Sequence, residues 1–158
     1  MARLSVALPR TVERRGMNEP HISASLRRKL AEEGRHRCGY CLTTEANTGI
    51  PMTVDHIIPR AKGGKTTLAN LWLACYRCNE FKGARTQAED PLTGENVPLF
   101  NPRTQVWTEH FAWNADGTQI IGLTAVGRAT VVALRMNDAL RVTARRRWIS
   151  VGWHPPKD

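Results

Sequence analysis

Residues 54–65 read VDHIIPRAKGGK: an acid and a histidine side by side, two isoleucines and a proline, then a basic, glycine-rich run. The β-branched, apolar stretch MTVDHII (52–58) predicts a strand, and PRAKGGKTT (59–67) predicts a loop. LANLWLACYRCNEFKGAR (68–85) predicts a short strand or turn that runs into a helix. Neighbours on a regular strand point to opposite faces, so Asp55 and His56 can serve one site only if the strand bends or ends there; Pro59 supports that. Taken alone, His56 is open to three readings: a buried structural residue, a zinc ligand or a general base.

The stretch is bracketed by two cysteine pairs, Cys38-Gly39-Tyr40-Cys41 and Cys75-Tyr76-Arg77-Cys78. A C-x-x-C turn brings two thiolates within reach of one ion, and two such turns complete a tetrahedral sulfur cage with no open position for chemistry. Zn2+ is the natural occupant, as structure and not as catalyst. A redox dithiol usually needs one such pair, and disulfides do not suit the reducing compartment expected for this chain. Arg37 and Arg77, next to the cysteines, should ease their deprotonation. His36 and His56 lie near enough to substitute as ligands, but four thiolates need neither, which frees His56 for other work.

CGYC, DHIIPRAKGG, NLWLAC and CNEFKGAR, in this order and at these intervals, resemble the HNH nucleases, the ββα-metal or His-Me finger family, in its variant braced by two C-x-x-C pairs. The resemblance covers about residues 34–86. It implies that His56 is the general base, that Asp55 and Asn79 hold a catalytic divalent ion, and that Asn70 ties the loop to the helix and orients the histidine. The family's third residue is often histidine; asparagine at 79 implies a neutral oxygen ligand there.

The residue types suit that chemistry. Imidazole, with an unperturbed pKa of about 6.5, can take a proton from water near neutral pH. A hard ion, Mg2+ or Mn2+, held by one carboxylate and one amide oxygen, keeps positions open for phosphate oxygens. Arg60, Lys62 and Lys65, with two glycines among them, form a loop that can approach a phosphate backbone, and Lys82 and Arg85 are expected to extend the positive surface along the helix.

The 158 residues carry 23 lysines and arginines against 14 acids, a net charge of +9, which favours a polyanionic partner. No stretch approaches the roughly 20 apolar residues of a membrane span, so a soluble, cytoplasmic protein without a membrane partner is expected. The fold class expected is α+β: a ββα-metal core braced by a four-cysteine zinc site, with flanking helices and a C-terminal hairpin plus helices. Residues 1–22 read as a basic flexible arm and 23–86 as the nuclease core with its preceding helix, SASLRRKLAEEG. In residues 87–158, prolines and Gly94 predict an irregular connection over 86–105, then a hairpin around Asp116-Gly117 and two helices broken at Asn137-Asp138. Arg141, Arg145 and Trp148 share a helical face that either tracks a nucleic-acid backbone or is simply solvated.

The function expected is metal-dependent hydrolysis of DNA, with oligomeric state, monomer or homodimer, left open. The resemblance, and not composition, favours DNA over RNA. The alternative is a non-catalytic, zinc-stabilised nucleic-acid-binding module, which would need the cysteines and the basic loop but not Asp55, His56 and Asn79 together. An RNA-cleaving toxin is a third reading, more natural at the end of a larger secreted polypeptide.

Overall fold

The computed structural model describes residues 21–157, so the arm expected over 1–22 lies almost wholly outside the described residues. Helix α1 (Ala24–Glu33) begins where the Ser23 side chain accepts from the Leu26 amide at 3.1 Å, satisfying one of the N–H groups a helix start leaves unpaired. Leu30 is fully buried and Leu26 packs on the same core, one turn earlier. After the short helix α2 (Glu45–Thr48) come strands β1 (Thr53–His56) and β2 (Leu71–Ala74), antiparallel, with His56 opposite Leu71 and Asp55 opposite Trp72. Helix α3 (Tyr76–Lys82) follows directly, capped by the Cys75 sulfur. These three elements are the expected ββα unit, within an α+β fold of small antiparallel sheets.

The connection expected to be irregular is instead a hairpin of β3 (Gln87–Glu89) and β4 (Asn96–Pro98). Asp90 closes its turn, accepting from the Leu92 amide at 3.1 Å and the Thr93 hydroxyl at 3.0 Å. Pro91 falls in the turn and Pro98 at the end of a strand that pairs on one side only, where a missing N–H costs little. Leu99 and Phe100 then enter the core.

Helix α4 (Trp107–His110) leads into the expected C-terminal hairpin of β5 (Phe111–Trp113) and β6 (Ile120–Gly122). Helices α5 (Ala125–Ala133) and α6 (Ala139–Ser150) follow, with Thr124 and Asp138 at their N-caps. One buried cluster joins Leu30, Tyr40, Leu71 and Leu73 to Phe111, Ile120, Leu134 and Met136, so the core crosses the boundary drawn at 86. Of the helical face left open between nucleic-acid tracking and solvation, Arg145 fits neither reading. That side chain is 1% exposed and donates to the carbonyls of Thr118 at 3.0 Å and Met136 at 2.7 Å, filling acceptors that the turn and the helix end leave open. Among the described residues no helix is long and apolar enough to cross a membrane.

Candidate functional site

One C-x-x-C turn lies between α1 and α2 and the other opens α3, and the two meet. The Sγ atoms of Cys38, Cys41, Cys75 and Cys78 all lie within 4.8 Å of one another, and Cys41 and Cys75 are 3.7 Å apart. Zn–S bonds near 2.3 Å give a tetrahedron with edges of about 3.8 Å, so the four sulfurs are positioned to form a zinc site. Amides of the turns point inward, Tyr40 N–H to Cys38 Sγ and Cys78 N–H to Cys75 Sγ, both at 3.4 Å.

The cation serving the cage is one the sequence did not single out for it. Arg141, from α6, donates to Cys78 Sγ at 3.1 Å and lies 3.8 Å from Cys75 Sγ, so it too fits neither the nucleic-acid-tracking nor the solvated reading of its helical face. Arg77, expected to act on the thiolates, instead pairs with Glu80 and Asp138 and lies over the Phe81 ring.

A cleft of about 600 Å³ has Asp55, His56, Arg60 and Asn79 among its lining residues. Asp55 and His56 share it because β1 ends at His56 and the chain bends at Ile57 and Ile58, as Pro59 suggested. His56 is half-buried, and its Nε2 lies 2.9 Å from the Thr66 hydroxyl. Nδ1 has no partner among the described residues, leaving that nitrogen for a water. Burial lowers the imidazole pKa below its ordinary value; the positive charges of Arg60 and Lys82 act in the same direction and Asp55 opposes them. The ring is therefore held toward the neutral form that can accept a proton.

Asp55 is 4% exposed. Tyr40 donates to its Oδ2 at 2.7 Å and Lys82 to its Oδ1 at 3.1 Å. Burial raises the carboxyl pKa, and the two donors pull against that rise. A carboxylate has about four lone-pair sites, so two donors leave capacity for a cation. The Asn79 side chain is half-buried and makes no hydrogen bond among the described residues.

Asn70 sits where the loop after β1 returns to β2. Its Oδ1 accepts from the Ile58 amide at 2.8 Å, and its Nδ2 donates to the carbonyls of Ile58 at 3.0 Å and Lys65 at 2.9 Å. It closes the loop upon itself and not, as expected, onto the helix. Gly64 belongs to this closure, since a Cβ there would overlap the Ile58 carbonyl. Arg60, Lys62 and Lys65 are exposed on the loop.

Two members of the expected positive surface are elsewhere. Lys82 is 2% exposed; besides Asp55 it donates to the carbonyls of His56 at 2.9 Å and Ile57 at 3.2 Å, so it has no reach to a phosphate backbone. It instead secures the bend at the end of β1. Arg85 donates to the carbonyls of Phe81 and Ala133, which ties α3 to α5. Thr66, Tyr40 and Arg141 carried no signal of their own in the sequence, although Tyr40 lies inside CGYC.

The structure thus combines a ββα unit, four sulfurs positioned to form a zinc site, and a cleft that an imidazole, a carboxylate and an amide share. Residues 38–85 match the family model for HNH endonuclease, a similarity confined to this part of the chain. The family ties it to nuclease or other nucleic-acid chemistry. No curated protein and no solved structure matches the chain.

Proposed function

We infer that the protein is an endonuclease that hydrolyses DNA phosphodiester bonds with the help of a divalent ion. The observation that carries this reading is the shared cleft of His56, Asp55 and Asn79, with Arg60 at its wall. His56 Nδ1 takes a proton from the attacking water, while the Thr66 contact at Nε2 fixes the ring. Asp55 and Asn79 offer one carboxylate and one amide oxygen, hard donors that fit Mg2+ or Mn2+. Bound there, such an ion would supply charge neutralisation at the phosphate and the leaving oxygen. Asn70 keeps the loop closed beside His56, and Arg60, Lys62 and Lys65 contact the backbone of the nucleic acid. Zn2+ in the four-cysteine cage is structural.

A binding module without turnover has no use for an unpartnered Asn79 side chain and an imidazole with one free nitrogen on a common cleft. Supercoiled plasmid incubated with the protein and Mg2+ or Mn2+ separates the two readings. Strand cleavage that stops with Asn79→Ala, at unchanged DNA affinity, is the expected result. DNA binding without cleavage under every ion would leave the binding module standing.

A further inference from the structure

The same cleft has a wall from outside the matched segment. Arg27, on the exposed side of α1, lines it together with Asp55, His56 and Asn79. Its neighbours Leu26 and Leu30 hold α1 on the core, so the root of the Arg27 side chain is fixed although its head is exposed. Four other arginines are committed, Arg103 to Glu33, Arg128 to Asp90, Arg141 to the cage and Arg145 to backbone carbonyls, and what distinguishes Arg27 is its place on the cleft. Among the described residues the Arg27 side chain has no hydrogen bond or ion pair. A cation without a partner among the described residues, on the same cleft as a proton acceptor and two oxygen donors, is placed to meet an anion there.

Hydrolysis of a phosphodiester puts additional negative charge on the non-bridging oxygens as the pentavalent state forms. A planar guanidinium can grip two such oxygens at once, which an ammonium cannot. We propose that Arg27 is a catalytic residue that clamps the non-bridging oxygens of the scissile phosphate and strengthens its hold in the transition state. The inference rests on the nuclease reading above. In the step, water oxygen bonds to phosphorus while its proton passes to His56, the P–O bond to the leaving sugar oxygen breaks, and that oxygen takes a proton from solvent. Arg27 gives up no proton; it contributes charge where charge develops.

Single-turnover cleavage of a labelled DNA duplex tests this, with affinity measured in parallel for wild type, Arg27→Met, Arg27→Lys and His56→Ala. Arg27→Met is expected to lose about 10²-fold in rate with less than a threefold change in duplex affinity. Arg27→Lys should keep part of the rate, and millimolar guanidinium should partly restore Arg27→Met. Wild-type rate in Arg27→Met, or a rate loss matched by an equal loss of affinity without rescue, would overturn the assignment while His56→Ala remained inactive. If wild type and His56→Ala were equally inactive, the nuclease reading itself would fall, and Arg27 as a catalytic residue with it.

Discussion

Lys82 joins three acceptors, Asp55 Oδ1 and the carbonyls of His56 and Ile57, at the point where β1 must bend for its last two side chains to share a cleft. Replacing it by methionine keeps much of the volume but strands a carboxylate that is 4% exposed. Breaking a buried pair from one side costs roughly 3–5 kcal/mol. Urea unfolding of Lys82→Met should show a loss of that order, and adding Asp55→Asn should recover part of it. Equal stability of wild type and Lys82→Met would mean that the pair does not brace the bend. From the sequence, Lys82 looked like one more surface cation because its stem lies one turn past Asn79 on a short helix. What buries it is the return of α3 beneath the end of β1, a tertiary event with no local signature. That Asp55, His56 and Asn79 share a cleft was legible through the family resemblance; Thr66 was not, because a hydroxyl ten residues from a histidine is unremarkable until the loop closes.

At the level of elements, α6 is clamped to the cysteine cage by Arg141 and to the β5–β6 turn by Arg145. Four thiolates around Zn2+ carry a net charge of −2, which a guanidinium 3.1 Å from one sulfur offsets. Arg141→Met is therefore expected to weaken zinc binding by about tenfold, the low end for loss of an outer-shell partner, as read by competition with a chromogenic chelator. Unchanged affinity would make Arg141 a packing residue only. The β3–β4 hairpin is held to α5 in a similar way, through the paired contacts of Arg128 with Asp90 at 2.9 and 2.8 Å. The Arg128 hydrogen bonds hold the Asp90 carboxyl well below the usual carboxylate range. Its contribution to stability is thus complete above the unfolded-state pKa of about 3.9 and is lost as pH falls toward the lower folded value. Asp90→Asn should lower the melting temperature at pH 7 and narrow the difference between pH 7 and pH 3; parallel curves for the two proteins would contradict this. The hairpin was not foreseen because prolines and Gly94 read as breakers. Here Pro91 and Gly94 build its turn, and Asp90 owes its buried place to an arginine 38 residues away.

Over the whole molecule, the helices and the C-terminal hairpin followed from periodicity, caps and turn residues, whereas their union with the nuclease core did not. Leu30, Phe111 and Met136 belong to one buried cluster, a fact that only tertiary packing reveals. If the proposed DNA contacts are made, the net charge of +9 should make the affinity sensitive to salt, with the exposed loop lysines setting part of that dependence. Lys62→Gln with Lys65→Gln should flatten the slope of log affinity against log salt by about 1.8, close to 0.9 per lost phosphate contact. An unaltered slope would place the backbone elsewhere. The central claim is that His56 activates water in a metal-dependent cleavage of DNA. It is tested most directly by adding Mg2+ or Mn2+ to supercoiled plasmid with wild-type protein and with His56→Ala, each checked for equal zinc content and folding. Cleavage by wild type that disappears with a chelator of the added ion and with His56→Ala is the expected result; equal cleavage by both proteins would contradict it.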